Sequence, residues 1–132
     1  MKKAVVTNGA PLPVGPYSQA IIANGFVFCS GQVAINPENG QIEKGTIGQQ
    51  TRRALQNISN VLVESGSDLD HVVKCNVYLT DMSTFNEMNE VYKEFFKKDY
   101  PARLTVQIAD IYGGLGVEIE AIGAIKNNNE EE

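Results

Sequence analysis

One arginine and two glutamates near the C-terminal end are the residues best placed to do chemistry. Arg103 stands in YPARLTVQI, Tyr100 to Ile108, and Glu118 and Glu120 stand in VEIEAIGAI, Val117 to Ile125. Both runs alternate, and strand side chains have a period of two. Ala102, Leu104, Val106 and Ile108 fall on one face of the first; Arg103, Thr105 and Gln107 fall on the other. In the second, Val117, Ile119 and Ala121 share a face and the two glutamates share its reverse. The pattern predicts Arg103, Thr105, Glu118 and Glu120 together on the polar side of one sheet. A guanidinium forks onto a carboxylate through two parallel hydrogen bonds. Two partners fit that fork: a glutamate across the sheet, or the carboxylate of a small substrate. A half-buried Arg–Glu pair is a poor stabiliser, because desolvation offsets most of the attraction. A cell of Arg, Glu and Thr at a seam makes a workable anion pocket. Glu118 suits a general base or the holder of an attacking water, and equally an ion pair with Arg103 or a lysine.

Other polar residues carry less. Tyr17 lies in GPYS, a loop stiffened by Pro13 and Pro16, where a ring can also simply cap a sheet edge. Ser30 and Gly31 end an apolar strand. No histidine stands near enough in sequence to activate Ser30 as a nucleophile. Gly31 lets a ligand oxygen approach its backbone N–H. Asn89 borders the apolar stripe of a helix and suits a cap on a buried backbone group. His71, the single histidine, opens a strand beside Asp68 and Asp70. One histidine and two distant cysteines do not make a metal site. The GGLG at Gly113 to Gly116 precedes no helix, so it is no phosphate cradle.

The elements that must position these residues are readable in order. Lys2 to Thr7 predicts a strand, and the Gly- and Pro-rich NGAPLPVGPYS a loop. Gln19–Asn24 and Phe26–Gly31 predict a hairpin turning at Asn24-Gly25, a pair suited to positive φ. Phe26 and Phe28 point one way, Val27 and Cys29 the other, so both faces of that strand are apolar. Thr46 to Ser65 predicts a helix, opened by a Thr46/Gln49 capping box and stopped by Gly66. Val72 to Thr80 predicts a strand, and Thr84 to Lys98 a second helix with a Thr84/Glu87 capping box. The order β-β-β-α-β-α-β-β is an α+β fold, a mixed sheet with two helices on one face. The other face holds apolar surface that no loop can cover, at about 25 cal/mol per Å² if left in water. It is expected to meet other copies of the chain.

Bulk properties agree with a single domain over residues 1–126 and a mobile acidic tail at 127–132, reading NNEEE after Asn127. With 132 residues and 42% apolar composition, a core needs no disulfide or metal staple. Cys29 and Cys75 lie in apolar runs and are expected buried and reduced, in a cytoplasmic protein. The net charge of −5 disfavours a nucleic-acid backbone or an anionic membrane as partner. No segment approaches the length of a membrane span.

Four pieces, taken together, carry a family resemblance. GPYSQA at Gly15–Ala20, FCSGQVAINPENGQI at Phe28–Ile42, NEVYKEFF at Asn89–Phe96, and YPARLTV with VEIEAIGA resemble the YjgF-like Rid family of imine and enamine deaminases. The resemblance implies a chorismate-mutase-like homotrimer with clefts between subunits and no cofactor. It implies that Arg103 holds the substrate carboxylate and that Glu118 is catalytic, with Tyr17, Ser30, Gly31, Asn89 and Thr105 around the substrate. The implied reaction is hydrolysis of 2-aminoacrylate or 2-iminobutanoate to a 2-keto acid and ammonia, a metabolite damage-control step. The same pocket would also serve a non-catalytic sensor of 2-keto acids that regulates a partner protein. Leu104-Thr105 stands where many members have Ser-Cys, and DIYGGLG replaces a more usual LPKDA-like run.

Overall fold

The computed structural model describes residues 1–127. The rest of the expected tail lies outside the described residues. Six strands form one sheet: β1 (Lys3–Val5), β2 (Ala20–Ala23), β3 (Phe26–Gln32), β4 (Val72–Leu79), β5 (Ala102–Gln107) and β6 (Val117–Ala124). Their spatial order is β1-β2-β3-β6-β4-β5. All neighbours are antiparallel except β4 and β5. A parallel pair needs a crossover, and α2 (Phe85–Phe95) supplies it. The longer helix α1 (Ile47–Glu64) connects the β3 side to β4.

Both helices lie on one face, as expected. Leu55, Ile58, Val61 and Leu62 of α1 pack on Val27 and Cys29 of β3, Val77 and Leu79 of β4, and Val117 and Ile119 of β6. Met88 and Tyr92 bring α2 into the same cluster. A satellite cluster of Ala34, Ile111 and Leu115 supports the loops at one end of the sheet.

The local signals act as their chemistry requires. Asn24 and Gly25 have φ of 52° and 82°, the two positive values of the predicted turn. The Thr46 hydroxyl accepts from the Gln49 N–H, and the Gln49 side chain accepts from the Thr46 N–H. Gly66, at φ 89°, ends α1. The second capping box does not form. Asp81 accepts from the Ser83 N–H, and the Thr84 hydroxyl donates back to the Asp81 carbonyl, winding a 3-10 turn at Met82–Thr84. Glu87 instead accepts from the Gly48 N–H at the start of α1, where the helix dipole favours a carboxylate. Helix α2 also stops at Phe95 rather than Lys98, and Asp99 has a φ of 54°.

The second face of the sheet is open. Val27 is fully buried, but Phe26 and Phe28 are 40% and 44% exposed, and Leu104 of β5 is 47% exposed. Thus β3 is apolar on both faces, yet a single chain covers only one. Both cysteines are free and buried, and burial pushes the Cys29 thiol up to about 12. Among the described residues no helix is long and apolar enough to cross a membrane.

Candidate functional site

The expected common face of Arg103 and Glu118 is not what forms. Strand β5 pairs with β4 and never with β6. Arg103 is level with Cys75 and Thr105 with Val77, both on the helix-covered face. Glu118 is level with Tyr78 and Glu120 with Asn76, on the open face. Arg103 and Thr105 therefore lie on one side of the sheet and Glu118 and Glu120 on the other. The alternation within each strand is as expected. The register of β4 decides how the two patterns combine, and it sets them in opposition.

The first cluster forms where α2 crosses the β5 edge. Phe85, Asn89 and Tyr92 are spaced four and then three residues apart, so they share one face of α2. Arg103 rises beside that row. Its guanidinium carbon lies 4.7 Å from the Tyr92 ring centroid and 5.6 Å from that of Phe85. Among the described residues Arg103 forms no ion pair. It lines a cavity of about 330 Å³ with Asn89, Glu90, Tyr92, Lys93 and Tyr100, where the Glu90 carboxylate pairs with Lys93 rather than with Arg103. Thr105 follows on the same face, its hydroxyl oxygen buried without a hydrogen bond.

The second cluster surrounds Glu118. Between Cys29 and Gln32 the β3–β6 register shifts, because Ser30 and Gly31 together oppose one residue of β6. The bulge brings Gly31 under the Glu118 side chain, and a Cβ at Gly31 would collide with its carboxylate. Glu118 is half-buried. Burial, and secondarily the nearby Glu120 carboxylate, raise its pKa. Glu120 itself accepts a 2.7 Å hydrogen bond from the Tyr78 hydroxyl. Tyr17, Gly31 and Glu118 line one cleft of about 640 Å³, whose walls include Leu12, Val33, Ile35 and Tyr112.

Ser30 serves the second cluster indirectly. Its hydroxyl donates to the Ser18 carbonyl at 2.6 Å and its N–H to the Gln19 carbonyl. These bonds tie the loop carrying Tyr17 to β3. Gln19 completes the anchorage and was not singled out from the sequence. It is 1% exposed; its side chain accepts from the Thr7 N–H and donates to the carbonyls of Thr7, Ala10 and Pro11. The available signal was a glutamine beside an apolar strand at a loop exit, where backbone groups need partners. His71 takes the bland role: Nδ1 lies 2.7 Å from the Asp68 carboxylate in a turn before β4.

One chain thus holds two separate arrangements. A cation without an ion pair among the described residues stands on one side, and a carboxylate of raised proton affinity beside a tyrosine stands on the other. Residues 7–125 match the profile of the family described as Endoribonuclease L-PSP. A RutC family protein of Pyrococcus horikoshii is 48% identical over 122 residues, 92% of this chain and 97% of that protein. The human 2-iminobutanoate/2-iminopropanoate deaminase is 38% identical over 122 residues, 92% of this chain and 89% of that protein. The crystal structure of Escherichia coli TdcF with bound serine superposes with a TM-score of 0.89 at 35% identity, covering 94% of this chain and 99% of that one. The match across nearly the whole length, in sequence and in fold, places the chain in the endoribonuclease L-PSP family, the YjgF-like Rid proteins.

Proposed function

We propose that the protein hydrolyses small 2-imino acids, 2-iminobutanoate and the imine tautomer of 2-aminoacrylate, to 2-keto acids and ammonia. The observation that carries this reading is Arg103: a guanidinium on a cavity wall with no carboxylate of its own among the described residues. A substrate carboxylate supplies the missing partner. Relatives named as 2-iminobutanoate/2-iminopropanoate deaminases support the same chemistry.

The reaction is undemanding. Water adds to the C=N carbon, the resulting amino alcohol expels ammonia, and the carbonyl remains. Arg103 anchors the carboxylate, with Asn89 and Thr105 beside it, and the Gly31 backbone helps orient the substrate. Glu118 positions the water and takes its proton, then returns a proton to the leaving nitrogen. Its raised proton affinity suits both steps. The net charge of −5 disfavours RNA as a substrate.

Because Arg103 and Glu118 face apart within one chain, this mechanism needs a second copy. The open face, with Phe26, Phe28 and Leu104, is the surface that copies would cover. In a homotrimer closed head to tail, the Arg103 side of one copy meets the Glu118 side of the next, giving three shared sites. The test is a coupled assay. A serine/threonine dehydratase generates the imine, and keto-acid release is followed with and without this protein. Acceleration by the wild type but not by Arg103→Ala supports the reading; equal rates with the two proteins overturn it.

A further inference from the structure

We propose that Tyr92, assisted by Phe85, is a positioning residue that holds the Arg103 guanidinium in place while leaving its hydrogen-bond donors free. This rests on the reading of Arg103 as a carboxylate anchor. An arginine has several rotatable bonds, and a binding site must restrict them before a ligand can profit. Proteins commonly do so with a glutamate or aspartate, which occupies the donors that a substrate would need. Here none does so among the described residues. Two aromatic rings stand there instead, at 4.7 and 5.6 Å. The face of a ring attracts a cation through its quadrupole and offers no lone pair, so it does not compete with a carboxylate for the N–H groups.

Tyr92 is built to be rigid. It is 5% exposed, belongs to the main core, and packs on Phe96 with ring centroids 4.7 Å apart. Its hydroxyl is buried beside the Cys75 thiol and the Arg103 guanidinium, without a well-formed hydrogen bond to either. What Tyr92 contributes to Arg103 is chiefly the face of its ring. Phe85, on the same face of α2 and only partly buried, closes the other end of the row, with Asn89 between the two rings. The cradle is thus set by α2, whereas Arg103 is set by β5.

Phenylalanine at this position should serve as well as tyrosine, and leucine should not. In the ligand-free protein, the Arg103 Nε–H should relax as an ordered group, and the Arg103 δ protons should show upfield ring-current shifts. Tyr92→Leu should release that order and raise KM for 2-iminobutanoate roughly tenfold, a size typical of desolvated cation–π contacts, with kcat nearly unchanged. Phe85→Leu lies outside the buried core and should give a smaller loss of the same kind. Tyr92→Phe should retain both order and KM. Absence of ring-current shifts in the wild type would overturn the proposal. So would an Arg103 side chain equally ordered in Tyr92→Leu, or a Tyr92→Phe as damaging as Tyr92→Leu. Loss of order in a protein whose wild type hydrolyses no imine would uphold the cradle and refute the proposed activity.

Discussion

Arg103 and Glu118 lie on opposite faces of one sheet, although only fourteen residues separate them and their strands follow each other in sequence. Strand β4 stands between them, with Cys75 level with Arg103 and Tyr78 level with Glu118. In the proposed reaction, chemistry that uses both residues joins two copies of the chain.

Arg103→Ala should lower kcat/KM by roughly two to three orders of magnitude, the worth of a bidentate charge-assisted pair. Because no carboxylate among the described residues is left unpaired, the melting temperature should shift by less than about 5 °C. Steady-state kinetics and calorimetry check both halves. A large fall in stability would mean that the arginine is structural.

Glu118→Gln should spare binding of 2-ketobutyrate and cost roughly 10²–10⁴ in kcat, the range for a lost general base. The pH dependence follows from the direction of its shift. Burial and Glu120 raise the Glu118 pKa above 4.5, so the ionised base forms only above that raised value. In the wild type kcat/KM should fall as pH drops through it. Glu120→Gln removes the like charge, and the acid limb should move to lower pH. A pH–rate profile unchanged in Glu120→Gln would contradict this.

Gly31→Ala should impair turnover more than stability. The added methyl collides with the end of a movable side chain, the Glu118 carboxylate, so the carboxylate is displaced and the strand survives. A near-native melting temperature with kcat reduced at least tenfold is the expected pair of results.

Much of this architecture was legible because its signals are local. Thr46 and Gln49 cap a helix, and Asn24-Gly25 turns a hairpin, within a few residues of themselves. The relative facing of Arg103 and Glu118 depends on β4, far away in sequence, and alternation within β5 cannot reveal it. Leu104 and Val106 read as core from their apolarity, yet they belong to the open face. The Thr84/Glu87 box yields at both ends, to a local competitor at Asp81 and to Gly48, which is far away in sequence and as hidden as β4. The apolar stripe beside Asn89 was legible, but the service of its Tyr92 and Phe85 to Arg103 was not.

Phe28→Asp should place a charge on the open apolar face and leave the helix-covered core untouched. Sedimentation at micromolar concentration should find trimer for the wild type and monomer for the variant, with deamination lost. A wild-type monomer would remove the basis for shared sites.

The most direct test mixes two inactive proteins. Arg103→Ala keeps Glu118, and Glu118→Gln keeps Arg103. Dissociated and reassembled together in equal amounts, the two should regain about a quarter of wild-type deaminase activity, since head-to-tail closure pairs the two intact residues at one site in four. Activity no greater than that of the separate variants, in trimers verified to be mixed, would contradict a site shared between copies.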